Sequence, residues 1–253
     1  MRLSISKIKS FKSCRRAYEL HYVEGLTPVK TPDALAIGSS YHELLEKLNK
    51  TGVLEDSDNL SMEMAMAHAY QKYVYPKFKV VEAEKWVEMK IGGDTLVGIV
   101  DGVADDGHIV EHKTTGIDSL EEYEFNLQWD EQILAYMYLT GQRKVWYTVC
   151  RKPTIRQKKN ETEQEFYERM IAWYDEDTEN KIRLIELERT DEEVEKFGIE
   201  LMTMLNVMKE AEAKKLFYRN TCHCSMWGRR CEYSSICLNY DPNQEYIDFV
   251  KGE

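Results

Sequence analysis

The chain of 253 residues reads as an α/β protein of the α+β kind, with a central mixed β-sheet flanked by helices. Three strand-type runs follow one another at about 80–91, 95–104 and 108–114, separated by the turn sequences "GGD" and "DDG". Helical patterns precede this meander, and a helix and then a strand follow it, which calls for one sheet with helices packed on its faces. Strands and helices do not alternate throughout, and neither a phosphate loop nor a dinucleotide fingerprint is present.

In order, residues 4–24 predict a helix opening at Ser4 or Ser6 and carrying Cys14. A second spans about 38–50, with Ser39 or Ser40 as its cap and "YHELLEKL" as its amphipathic body. A third covers 61–77, before the meander. After it, "NLQWDEQILAYMYLT" predicts a helix over about 124–140, and a strand over about 143–150 ends the core. The polar segment 151–180 looks like an insertion with its own short helix. A strand at about 181–189, a long helix at about 191–214 and a Cys-rich loop at about 215–240 follow. The whole of 1–253 is expected to form a single domain, since a chain of this length can bury a full core.

With 34 Lys and Arg against 45 Asp and Glu, the net charge of −11 excludes a generally basic nucleic-acid-binding surface. A polyanion would have to be met by a local basic patch or by metal. No apolar run approaches membrane-spanning length, and the start lacks the pattern of a signal peptide, so a cytoplasmic location without membrane contact is expected. In a reducing compartment the six cysteines are not expected to form a disulfide framework. Cys150, alone in "VWYTVC", reads as a buried small hydrophobe.

The stretch "GIVDGVADDGHIVEHKTT", residues 98–115, is the most informative. If Asp105, Asp106 and Gly107 form the loop, with Gly107 left-handed, Ala104 faces His108 and Asp101 faces Glu111. Lys113 then shares their face, and the His112 side chain points the other way. A two-residue loop would separate the carboxylates. Facing carboxylates repel, so water, a cation or a bound metal must offset them. A wet hairpin face is the alternative, although the apolar runs on both sides favour a central position.

Asp101, nine residues, then Glu111-x-Lys113 resembles the signature of the PD-(D/E)XK nuclease superfamily. More narrowly it resembles the RecB-like branch, which includes CRISPR-associated RecB-type nucleases, the AddB nuclease domain and phage exonucleases. "GSSYH", with His42 four residues after Gly38, and "QILAY", with Gln132 and Tyr136 four apart, are similar to two further motifs of that branch. The resemblance implies a restriction-endonuclease-like core and metal-dependent hydrolysis of DNA. Asp101, Glu111 and His42, with the backbone carbonyl of His112, would hold Mg²⁺ or Mn²⁺, and Lys113 would act in catalysis. Gln132 and Tyr136 would meet the scissile-strand phosphates, with Gln128, one turn earlier, extending that contact. Glu82 and Glu84 read as a solvated strand face that approaches the site at most.

The cysteines near the two ends resemble the iron–sulfur arrangement of the same branch. Cys14 would be the distant ligand, with Cys231 and Cys237 as the last two. Cys224 fits the spacing "CSMWGRRC" of phage-type members, with Cys222 as the runner-up. Four thiolates would hold a structural [4Fe–4S] cluster. A local Zn²⁺ site of Cys222, Cys224, Cys231 and Cys237 is the rival. The basic stretch "RKPTIRQKK", with Arg151, Lys152, Arg156, Lys158 and Lys159, could hold a DNA backbone, and the aromatics after it could form a flap that stacks on unpaired bases. The expectation is a DNA exonuclease of phage or prokaryotic recombination, acting on single-stranded DNA or free ends, with a recombination protein as a possible partner and, if phage-encoded, in the host cytoplasm. The alternatives are a DNA-binding or complex-dependent subunit with an idle site, or a structure-specific endonuclease.

Overall fold

The computed structural model describes residues 1–29, 33–54, 60–226, 230–238 and 249–251. The part of the Cys-rich loop at 227–229 and the tail at 239–248 lie outside them. The chain divides into two compact units, one of residues 1–32, 89–97 and 196–253, the other of 33–88 and 98–195.

The second unit holds most of the sheet. Strands β3 (Val80–Ile91) and β4 (Asp94–Ala104) pair, and β4 pairs antiparallel with β5 (Ile109–Thr115). Strand β5 runs parallel to β6 (Lys144–Arg151), and β6 antiparallel to β7 (Ile182–Glu188). The sheet is therefore mixed, as the element order predicts. Gly102 pairs with Val110 and Val103 with Ile109, Gly107 has φ +86°, and the Ala104 N–H donates to the His108 carbonyl at 2.9 Å. This is the three-residue loop, and continuing its register puts Asp101 opposite Glu111.

Helices α3 (Asp33–Thr51), α4 (Met62–Tyr73) and α7 (Glu163–Glu176) bury Tyr41, Leu45, Leu48, Met66, Tyr70, Met170 and Tyr174 in one cluster with Cys150. Cys150 is buried as expected. Ser61 caps α4, its Oγ accepting from the Met64 N–H at 3.3 Å. Helix α3 begins before Ser39 and Ser40, which are not its cap, so His42 sits in mid-helix rather than in the first turn.

The expected helix over 124–140 is two helices, α5 (Leu120–Leu127) and α6 (Glu131–Thr140). Asp130 breaks the run because its Oδ1 accepts from the Gln132 N–H at 3.0 Å and so starts α6, which Gly141 ends at φ +76°. Ile133 and Met137 of α6 bury against Val100, Val145 and Tyr147 of the sheet.

Segment 151–180 is not a peripheral flap. Helix α7 opens with a capping box of Thr162 and Glu165, and its Tyr167, Trp173 and Tyr174 are buried rather than free to stack on bases. Arg151 is only 9% exposed. It donates to Asp118 at 2.8 Å and to the Asn180 carbonyl at 3.0 Å and lies over the Trp173 ring, so it is an internal strut and not a DNA contact.

The first unit contains β1 (Arg2–Ser4), parallel to Thr95–Val97, and the helix expected over 4–24 in pieces. These are α1 (Ile5–Ser13), α2 (Arg15–Tyr18) and a π-helical turn at Glu19–Val23. Cys14 is extended between the first two, at φ −160°, ψ 114°. The break has a local cause: the Asn220 side chain donates to the Ser13 carbonyl at 2.8 Å, and its N–H donates to the Cys14 Sγ at 3.4 Å. A short β2 (Leu26–Pro28) pairs with β8 (Phe249–Lys251). Helix α8 (Asp191–Lys214) starts in the second unit and ends in the first, followed by α9 (Ser234–Leu238).

Tyr174 is fully buried and its hydroxyl donates to the Arg151 carbonyl at 2.6 Å. Tyr174→Ala should lower unfolding stability by about 3–5 kcal/mol in urea titrations, and Tyr174→Phe by about 1 kcal/mol. A loss below about 0.5 kcal/mol for the alanine variant would return α7 to the status of a loose insertion.

Candidate active site

The hairpin β4–β5 and helices α3 and α6 place the expected residues together inside the second unit. Asp101 is 13% exposed. It accepts the His112 backbone N–H at 2.7 Å, and its Oδ1 lies 3.4 Å from His42 Nδ1. Glu111 is 3% exposed, and Lys113 Nζ donates to its Oε1 at 2.6 Å. The other oxygen, Oε2, is buried and has no hydrogen-bond partner among the described residues. Lys113 also donates to Gln132 Oε1 at 3.3 Å and pairs with Asp130 at 3.4 Å, and Gln132 Nε2 donates to the Tyr136 hydroxyl at 2.9 Å.

Burial, and then the Asp101 charge, raise the Glu111 pKa, against the pull of Lys113. For Asp101 the same burial is outweighed by its bonds from His42 and the His112 N–H, so its carboxyl is held below the usual range. His42 is raised: burial works against its charged form, but Asp101 and Glu111 favour it more strongly. Lys113 stays protonated, since the attraction of Glu111 and Asp130 exceeds the cost of burial. Burial pushes Tyr136 up and pulls His112 down to about 4. The His112 side chain does point away, its Nδ1 at 2.6 Å from Thr148 Oγ1, and its backbone carbonyl remains in β5 beside Glu111.

The donors here fit a divalent cation. A buried carboxylate oxygen lacks a partner, a second carboxylate and an imidazole stand beside it, and hard oxygen with nitrogen suits Mg²⁺ or Mn²⁺. Among the described residues, no three His, Cys, Asp or Glu side chains are already closed around one point.

Glu46 and Asp130 escaped the sequence reading, and Glu84, at φ +51° and read there as a solvated strand face that approaches the site at most, feels the charges of Asp101, Glu46 and His42. Burial followed by Asp101 raises its pKa. Its strand run gave no sign of that backbone twist. Glu46 lies four residues after His42 on α3, a spacing that marks a shared helix face. Asp130 precedes the apolar body of α6, the position of a cap. Gly98 was also unremarked: a Cβ there would lie 2.7 Å from the Tyr136 ring, so only glycine lets Tyr136 reach the strand.

Gln128 does not lie one turn before Gln132 on the same helix: it caps the end of α5, where Arg189 donates to its side-chain oxygen at 2.9 Å and to its carbonyl at 2.8 Å. Lys152 is half-buried, its N–H donating to the Thr115 carbonyl at 2.8 Å, while Arg156 and Lys158 are exposed.

In the first unit Cys14 packs with Tyr233, Ile236, Cys231 and Cys237. The Cys231 N–H donates to the Cys224 carbonyl at 2.9 Å. Burial raises the Cys231 and Cys237 thiols, with Cys14 adding to both and Cys224 to Cys237. Cys222 is exposed.

Structures with a similar fold include a candidate exonuclease from Eubacterium rectale, 12% identical, with a TM-score of 0.54 over 90% of this chain and 87% of that one. A phage-related exonuclease from Haemophilus somnus 129PT is 15% identical, with a TM-score of 0.41 over 78% and 94%. An alkaline exonuclease from Laribacter hongkongensis is 17% identical, with a TM-score of 0.32 over 85% and 94%. No curated protein matches the sequence. The profile of one family matches residues 2–238, carrying the hairpin, His42, Gln132 and Tyr136 together, and the chain belongs to the PD-(D/E)XK nuclease superfamily.

Proposed function

We propose that the chain is a Mg²⁺- or Mn²⁺-dependent deoxyribonuclease of the RecB-like branch that digests DNA from free ends, working as one nuclease domain in phage or prokaryotic recombination in the cytoplasm. The observation that carries this is Glu111: a buried carboxylate with one oxygen on Lys113 and the other unpartnered, across the hairpin from Asp101. The exonuclease designation of the Eubacterium rectale protein is consistent with it.

When bound, a divalent cation supplies an activated water and neutralises charge on the attacked phosphate. Asp101, Glu111, His42 and the His112 carbonyl would hold it. Lys113, kept charged by Glu111 and Asp130, faces the position where negative charge grows on the phosphate and stabilises it electrostatically. Gln132, fixed between Lys113 and Tyr136, orients that ammonium group and offers its amide to the scissile strand. Glu84, near enough to Asp101 and His42 to feel their charges, adds negative potential that favours cation binding.

We further propose that Cys14, Cys224, Cys231 and Cys237 hold a structural [4Fe–4S] cluster, supported by the packing of Cys14 with Cys231 and Cys237 and by the electrostatic influence of Cys224 on Cys237.

Purified protein with Mg²⁺ or Mn²⁺ should degrade end-labelled linear DNA and spare closed circles. Lys113→Ala and Glu111→Ala should each lose at least about a hundredfold in rate. Cleavage of circles would make the enzyme an endonuclease, and unchanged rates in both variants would remove the hairpin from catalysis. After anaerobic purification, iron and acid-labile sulfide should each approach about four per chain and fall in Cys14→Ala but not in Cys222→Ala. Zinc in place of iron, lost in Cys222→Ala, would establish the local Cys₄ site.

A further inference from the structure

An acidic chain that cleaves a polyanion needs a hold on its substrate beyond the cleavage centre. Several arginines of the second unit do not provide it. Arg151 is bonded to Asp118 at 2.8 Å, Arg183 to Glu124 at 3.0 Å, and Arg189 to Gln128 at 2.9 Å.

At the corner between α5 and α6, aromatic side chains go the opposite way. Phe125 is 65% exposed and Trp129 73%, although residues of this kind normally bury most of their surface. Neither ring has a ring contact or side-chain hydrogen bond among the described residues. The backbone beneath them is fixed. Gln128, Trp129 and Asp130 donate in succession to the carbonyls of Phe125, Asn126 and Leu127, at 3.2, 3.1 and 3.1 Å, and Leu120 and Leu127 anchor α5 in the core. The residue after Trp129 is Asp130, which pairs with Lys113, caps α6 at Gln132 and accepts from the Tyr147 hydroxyl at 3.2 Å. An exposed indole thus stands one residue from the network that positions the Lys113 ammonium.

We propose that the α5–α6 corner is a stacking platform, centred on Trp129 with Phe125 one turn before it, that receives an unpaired base of the substrate strand beside the active site. This rests on the nuclease reading above and narrows the substrate to single-stranded DNA or frayed ends. Bases in a duplex already stack on each other and offer no free face. A base–aromatic stack needs no net positive charge, which suits a protein of charge −11.

The test measures binding in EDTA by wild type, Trp129→Ala and Trp129→Phe. The probes are a single-stranded deoxyoligonucleotide of about 12 nucleotides carrying 2-aminopurine and an abasic strand of equal length. Trp129→Ala should bind the normal strand about tenfold more weakly and the abasic strand as wild type does, with Trp129→Phe regaining most of the loss. With metal present, Trp129→Ala should raise KM for single strands more than it lowers kcat. Binding of the normal strand within twofold of wild type, or an equal loss on the abasic strand, overturns the platform. Metal-dependent cleavage lost in Lys113→Ala keeps the nuclease reading even in that event. Trp129-dependent stacking by a wild type that cleaves nothing would support the platform and sink the nuclease reading instead.

Discussion

Two carboxylates facing each other across a hairpin, one of them almost fully buried, set the terms for the rest of the second unit. Like charges opposite each other destabilise a sheet, and removing one partner from a buried ion pair typically costs about 3–5 kcal/mol. The fold answers the two groups differently. Asp101 receives a backbone N–H from His112 and a contact from His42, which hold it ionised. Glu111 receives Lys113 on one oxygen only, so burial keeps its proton affinity high and leaves the second oxygen open. That asymmetry divides one charged cluster into a fixed carboxylate and an incompletely satisfied one, which is the condition for taking up a cation.

The same constraint reaches outward through Lys113. An ammonium group has no rigid direction of its own, and here Glu111, Asp130 and the Gln132 carbonyl oxygen fix it from separate elements. Asp130 links the pieces: it starts α6, touches Lys113 and accepts from Tyr147 on the neighbouring strand. Tyr136 completes the frame by lying against Gly98, where no side chain intervenes. The break between α5 and α6 is thus tied to the candidate site through Asp130 and is not a gap in a helix.

That break marks where reading the sequence stopped short. The hairpin was legible because a loop ending in glycine fixes the register, and the register alone places Asp101 against Glu111. The mixed sheet was legible from element order. "NLQWDEQILAYMYLT" reads as one helix because its apolar spacing continues through Asp130, and the capping bond that divides it is invisible in the periodicity. Arg151 resembled a surface cation because its partners, Asp118 and the Asn180 carbonyl, lie 33 and 29 residues away. The split at Cys14 needs Asn220, which is more remote still. Bonds closed by distant polar partners could not be read from the sequence, and neither could the short-range cap at Asp130, which the apolar spacing overrides.

The charge distribution follows from these bonds. Three arginines of the second unit are held by carboxylate or amide oxygens of the scaffold, while Arg156 and Lys158 stay exposed. Arg151 lies over Trp173 of α7, Arg183 ties β7 to α5, and Arg189 fixes the end of α5. Each guanidinium stabilises the scaffold and so contributes little to a salt-sensitive hold on phosphate. The arginine that fixes the end of α5 also steadies the turn that exposes Trp129, so internal use of the cation and outward display of the aromatic ring come from one local structure.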